Sequence, residues 1–286
     1  MHPRNRYRGK HDFTELCRLE PGLKQYLFTN PVGKLSLDFS RNEALRLLNR
    51  VLLLRDYGLQ HWDLPDGHLV PPLPGRLDYI HTIADLLPKA QRVLDIGTGA
   101  SVIYPILGVG EYGWSFVGSE VNPDSVRVAR AIVKFNPKLR RHIEIRQQEE
   151  SAFIFRGIIQ PEDYFHLTLC NPPFYADRES AERAGEKKWR KLGRTDGGLS
   201  FGGADSELWT PGGEMAFLRR MIRESQDFSR QVGWFTTLVS KKGYLRSARQ
   251  LLDALEGVTV RVLSMEQGNK KSRVLAWTFT DPSSAG

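Results

Sequence analysis

Cysteine is scarce in this chain. Cys17 and Cys170 are the only two in 286 residues, far apart and without the paired spacing of a zinc site or a disulfide framework. Both are expected as reduced thiols, and no metal site is expected. No apolar stretch approaches the roughly 20 residues that span a bilayer. The basic start of the chain runs into polar residues instead of a signal-peptide core. These absences predict a cytoplasmic chain with no membrane partner. There is no internal repeat and no low-complexity tract. Acid is in deficit: 33 Asp and Glu against 41 Lys and Arg give a formal charge of +8, and the pI is near 9.5. Such a balance favours a polyanionic partner, because cations that contact phosphates release condensed counterions. With 40% hydrophobic residues, the chain can fill the core of one catalytic domain carrying an appendage.

The most informative feature present is Asn171-Pro172-Pro173-Phe174, directly after the apolar run 165–170. The amino nitrogen of adenine is a poor nucleophile, since its lone pair is delocalised into the ring. A catalyst for its methylation must accept hydrogen bonds from the N–H groups and draw the nitrogen toward a tetrahedral shape. The Asn171 side-chain oxygen offers one acceptor and the Pro172 carbonyl a second. Phe174 offers a stacking face, worth roughly 1 to 3 kcal/mol per base. On its own the tetrapeptide also fits a strand-ending turn.

The upstream half of the chain decides between the two. Residues 92–96 form a short apolar strand that runs into Gly97-Thr98-Gly99-Ala100-Ser101, with a helix expected over 100–108. Glycines at 97 and 99 let a ligand approach the backbone and permit positive φ. Asp95 ends the strand, and Glu120 ends the next one, where a ribose diol would be gripped. The third glycine of a dinucleotide fingerprint is missing, which favours S-adenosylmethionine over NAD. Two solvated loop acids are the plain alternative for Asp95 and Glu120.

These motifs, with Pro74-Gly75-Arg76-Leu77-Asp78-Tyr79-Ile80-His81, Gly212-Gly213-Glu214-Met215-Ala216-Phe217 and the opening residues 1–7, give a resemblance over essentially the whole chain. The chain resembles the large-subunit (23S) ribosomal RNA adenine-N6 methyltransferase F family. It is similar also to the catalytic domain of the human U6 small nuclear RNA adenine methyltransferase. The resemblance implies an α/β, Rossmann-like class I fold and an RNA substrate, either 23S ribosomal RNA or a large-subunit assembly intermediate. It implies that Arg76 grips the methionine carboxylate of S-adenosylmethionine, that Gly97 and Ser101 line the donor pocket, that Glu120 holds the ribose, and that Asn171 orients the target amine. Ser151 matches the family pattern loosely on the adenine side of the donor.

Residues 1–75 read as an extension, 76–281 as the catalytic domain and 282–286 as a tail. Arg4, Arg6, Arg8 and Lys10 lie in the first ten residues without an acid, with Tyr7 among them, which suits an RNA-binding arm. Helical spacing over 42–54 predicts a helix docked on the catalytic domain. The run 71–75 predicts a stiff connector that delivers Arg76 to a helix read from 79, and His81 on that helix reads as a packing residue. Strands near 142–146, 165–170 and 234–240, with helices at 123–136, 149–159, 214–228 and 244–256, predict a mainly parallel sheet. The runs 258–265 and 273–280 predict an antiparallel hairpin, for seven strands in all.

Between 178 and 212 lies a long active-site loop. Over 178–194 it carries seven basic residues against three acids, with Lys187, Lys188, Arg190 and Lys191 around Trp189. Leaving directly from the 171–174 motif, it is placed to cover a target base and grip flanking phosphates. Cys170 reads as a small core residue at a strand end, not a nucleophile. Two rivals remain: methylation of a glutamine amide, and an RNA-binding protein that keeps the fold without turnover.

Overall fold

A computed structural model describes residues 1–9, 11–66, 68–173, 179, 210–267 and 270–280. After α1 (Phe13–Leu19), strands β1 (Leu27–Thr29) and β2 (Leu35–Leu37) form a small antiparallel hairpin. Then come α2 (Asn42–Tyr57) and α3 (Leu73–Leu86). Strands β3 (Arg92–Ile96), β4 (Ser115–Glu120), β5 (Ile143–Gln147), β6 (Phe165–Cys170), β7 (Val232–Val239), β8 (Thr259–Gln267) and β9 (Lys270–Thr278) make one sheet in the order β5-β4-β3-β6-β7-β9-β8. β9 alone runs against the direction of the other six strands. The seven-stranded, mainly parallel α/β sheet with its C-terminal hairpin is the class I arrangement expected.

The chain enters the sheet at β3, builds outward through β4 and β5, then returns to β6 beside β3. A crevice therefore opens between β3 and β6 at their carboxyl ends, where a doubly wound sheet binds its ligands. Helices α4 (Ile103–Tyr112), α5 (Pro123–Phe135) and α6 (Pro137–Arg140) connect the first strands, and α7 (Gly213–Ser225) and α8 (Lys242–Asp253) the last. Alternate residues of β9 show the two faces: Val274 and Ala276 join a core with α2 to α5, while Leu275 and Trp277 join a second core with α7 and α8. Start signals are local. The Asn122 side chain accepts the N–H groups of Asp124 and Ser125, with Pro123 at the first helical position.

Three expectations are corrected. No helix forms over 149–159, where the chain makes turns pinned by side chains. The 71–75 connector is shorter than read, because α3 begins at Leu73. Pro74 stands in its first turn, where the missing N–H costs nothing. The boundary read at 75/76 thus falls inside α3, and residues 1–64 contribute Tyr7, Leu16, Leu52 and Trp62 to the same apolar cluster as the sheet residues Val93 and Leu167. Third, the arm is not free. Tyr7 is 5% exposed, with its hydroxyl on Asp56 at 3.1 Å, so it cannot stack on a base. Arg4 meets Asp85 at 2.6 Å and Arg6 meets Glu111 at 2.7 Å, while the Arg8 guanidinium donates to the Pro3 carbonyl at 3.4 Å. Lys10 lies outside the described residues, as do the tip of the β8–β9 hairpin and the tail.

Candidate active site

A cavity of about 550 Å³ opens in the β3/β6 crevice. Arg76, Gly97, Gly99, Ser101, Glu120, Ser151, Asn171 and Pro173 all line it. Residues as far apart in sequence as Arg76 and Pro173 are thereby brought to one wall. Pro172, between two wall residues, is buried. Phe174 lies outside the described residues, as do Lys187, Lys188, Trp189, Arg190 and Lys191.

The floor is the glycine turn. Gly97 and Gly99 hold φ of 70° and 64°, and a Cβ built on Gly97 would meet nothing within 4 Å, so that position needs glycine for its backbone. The N–H groups of Gly97 and Thr98 both donate to the Ser119 carbonyl at 2.9 Å, which ties the turn to the end of β4. Thr98 lies over Gly118, where an added Cβ would come within 2.9 Å of the threonine hydroxyl. Val102 takes φ 52° and ψ 31° while fully buried. That left-handed conformation costs a β-branched residue on the order of 1–3 kcal/mol. Beside it the Trp62 indole N–H donates to the Ser101 carbonyl at 3.0 Å, holding the turn from outside the sheet.

Glu120, 4% exposed, accepts the N–H of Gly99 at 3.0 Å and of Asn122 at 2.9 Å. Burial raises its carboxyl and these backbone donors restrain the rise. A third backbone donor, the N–H of Val121, also acts on this carboxylate, which keeps acceptor capacity for a ribose hydroxyl. Arg76 donates to the Tyr104 hydroxyl at 3.1 Å and lies 5.5 Å from the centre of that ring. Burial pushes the Tyr104 phenol up to about 12, so this partner is neutral and the guanidinium charge stays available to a carboxylate. The Asn171 side-chain oxygen is buried and has no hydrogen-bond partner among the described residues. An orphan acceptor of this kind is costly unless a donor arrives. These groups fit S-adenosylmethionine: acceptors for a diol, a cation for a carboxylate, and glycines where its chain would pass.

Asp95 is the exception among the sequence candidates. It is fully buried, absent from the cavity wall, and neither carboxyl oxygen has a hydrogen-bond partner among the described residues. Burial pushes it up to about 7. The nearby Thr98 hydroxyl opposes the rise, Glu120 adds to it, and Arg76 opposes it. It acts on the cavity through charge, not contact. Burial also drives the Cys170 thiol well up, consistent with a core role. His81, 1% exposed, shares a 2.6 Å hydrogen bond with the Tyr112 hydroxyl and packs away from the cavity.

Sequence reasoning missed Tyr104, Gln148, Phe153, Ile154, Phe217 and Arg220, all on the wall. Gln148 directly follows a strand end, which was a usable signal. Arg220 gave none. It bridges the Ser151 carbonyl at 3.3 Å and the Thr210 hydroxyl at 3.1 Å from a helix some 70 residues downstream of the segment it holds.

Comparison with known proteins agrees with this geometry. A family model described as RNA methyltransferase matches residues 1–281. The ribosomal RNA large subunit methyltransferase F of Klebsiella pneumoniae is 49% identical over 289 residues, covering 98% of this chain and 95% of the relative. The protein of the same name from Ectopseudomonas mendocina is 46% identical over 301 residues, covering 100% and 90%. Among solved structures, the human METTL16 catalytic domain in complex with a 3'UTR hairpin has a TM-score of 0.84 at 33% identity, covering 99% of this chain and 96% of that one. The human METTL16 N-terminal domain in complex with SAH has a TM-score of 0.77 at 30% identity, covering 98% of this chain and 99% of that one. A match along nearly the whole length, at almost half identity to named relatives, establishes that this chain belongs to the RNA methyltransferase family.

Proposed function

We propose that the protein transfers the methyl group of S-adenosylmethionine to the exocyclic N6 of one adenine in large-subunit ribosomal RNA, acting in the cytoplasm. The observation that carries this reading is the unpartnered Asn171 oxygen, buried in the same cavity as Glu120, Arg76 and the glycine turn. The names of the relatives supply the RNA, and the SAH complex of a structural neighbour supports the donor.

When bound, the donor supplies an electrophilic methyl on a sulfonium that leaves as a neutral thioether. Glu120 would hold the ribose hydroxyls with its remaining lone pairs, and Arg76 would pair with the methionine carboxylate. Asn171, with the Pro172 carbonyl, would accept the two N–H groups of the adenine amine and fix its lone pair toward the methyl. That positioning lowers the barrier by orientation, and it requires no side-chain base before transfer. The base must leave its stack to reach the cavity. Phe153, Ile154 and Phe217 give the cavity an apolar wall.

A glutamine amide offers similar N–H groups to Asn171, but the family and the charge of +8 favour RNA. The test uses purified enzyme, labelled donor and large-subunit RNA from cells lacking the enzyme. We expect N6-methyladenosine in the RNA digest. Asn171→Ala should lower turnover roughly 100-fold or more, the scale of one lost catalytic hydrogen bond, with RNA affinity within about twofold. Label in protein and none in RNA would overturn the proposal.

A further inference from the structure

We infer that the α5–α6 corner, at the sheet edge opposite the cavity, is a second RNA-contact surface that grips the substrate's phosphate backbone away from the target adenine. The inference rests on the proposed RNA substrate and extends it to a surface outside the transfer site. Helix α5 starts beside Asn122, a cavity residue, and runs away from the cavity for 13 residues. At 1.5 Å per residue its far end stands about 20 Å off. There Lys134, Lys138, Arg140 and Arg141 are all exposed, and no acid occurs from 134 to 143. None of the four is in an ion pair among the described residues, whereas the nearby Arg127 and Arg146 are paired with Asp124 and with Glu144 and Asp163.

An aromatic ring stands among these cations. Phe135 is 58% exposed, although Val126, Ala129, Ile132 and Val133 of the same helix are buried. The His61 ring meets it edge-on, with centroids 5.7 Å apart. The corner is rigid. Asn136, 2% exposed, accepts the N–H groups of Gln60 at 2.7 Å and His61 at 3.2 Å, and donates to the carbonyls of His61 and Ile132 at 2.7 Å. A lone exposed ring or a few solvated lysines would mean little. Unpaired cations around a fixed, accessible ring are the combination that takes phosphates by charge and a base by stacking. At about 20 Å from the cavity, the surface can meet only a substrate larger than the target site itself.

The test compares wild type with the quadruple variant Lys134→Glu, Lys138→Glu, Arg140→Glu and Arg141→Glu, and with Phe135→Ala. Two unmethylated substrates are used: whole large-subunit RNA, and a short fragment of it bearing the target adenine. For the quadruple variant on whole RNA we expect a KM at least tenfold higher. The slope of log affinity against log salt should be shallower by about 3, since each lost phosphate contact removes roughly 0.7–0.9. On the fragment, KM and kcat should stay within twofold. Phe135→Ala should raise KM only on whole RNA. An unchanged KM on whole RNA overturns the inference, as does an equal loss on both RNAs or the capture of an acidic protein without any change toward RNA. Absence of wild-type turnover on any RNA would reject the proposed function, while the binding comparison would still judge the surface.

Discussion

Asp95 is a carboxyl with no hydrogen-bond partner among the described residues, sealed under the glycine turn between Gly118 of β4 and Leu169 of β6. Its ordinary value is 3.8, and burial pushes it up to about 7 in the folded protein. Between those values the folded state keeps a proton that the unfolded state has released. Stability therefore falls as pH rises from about 4 to about 7 and levels off above that, a loss of at most about 4 kcal/mol at 1.36 kcal/mol per pH unit. Asp95→Asn removes the ionisation. Urea melts from pH 4 to pH 8 should show the fall in wild type and a flatter curve in the variant, which becomes the more stable of the two at pH 8. Identical slopes in the two proteins would show that Asp95 does not titrate in this range. Val102, held left-handed beside it, is a second strained position under the same turn. Strain and an unpaired charge gather where the backbone must shape a donor pocket.

At the scale of elements, the segment 148–163 shows how packing overrides periodicity. Phe153, Ile154, Ile158 and Ile159 are spaced as on a helix, yet Gly157 takes φ 82° and the chain turns. The Glu224 carboxylate on α7 accepts the N–H groups of Ile154, Phe155 and Arg156 at 2.9, 2.8 and 2.6 Å. Backbone donors that a helix would have used are satisfied from another element. Because Ser151, Phe153 and Ile154 line the cavity, this clamp shapes its wall. Glu224→Ala strands two buried donors and one part-buried donor and should destabilise the fold by about 3 kcal/mol. Donor KM should rise several-fold, with kcat at saturating donor close to wild type. A variant with unaltered donor KM would separate the clamp from the pocket.

On the scale of the whole molecule, the N-terminal arm is part of the core. Besides Tyr7, the Asn5 side-chain amide donates to the Pro74 carbonyl at 2.8 Å and to Asp78 at 2.6 Å. Those two partners lie on either side of Arg76 on α3. Removing residues 1–8 takes away one buried aromatic ring and these bonds, together about 3 kcal/mol. For a chain of this size that lowers Tm by roughly 5 °C. Calorimetry should still show one transition, since the extension and the sheet share a cluster. Two separate transitions would mean that the extension folds as its own unit.

The order of strands and helices from residue 92 onward was readable from the chain because each signal is local. The short apolar runs of β3 and β6, the Asn122-Pro123 start and the alternating runs of the hairpin each declare themselves within a few residues. The site motifs were readable for the same reason: Gly97, Gly99, Glu120 and Asn171 sit at strand ends, and parallel strands bring their ends to one edge. The tertiary structure decided what depends on distant partners. It buried Tyr7 in place of leaving it to stack, started α3 at Leu73, replaced a helix by turns under Glu224, and set Asp95 behind the cavity wall instead of on it. Arg220 and Trp62 reach the site from remote segments that no local pattern connects to it. Hydrogen bonds and burial between residues tens of positions apart are invisible to periodicity, and they set the final shape and charge of the pocket.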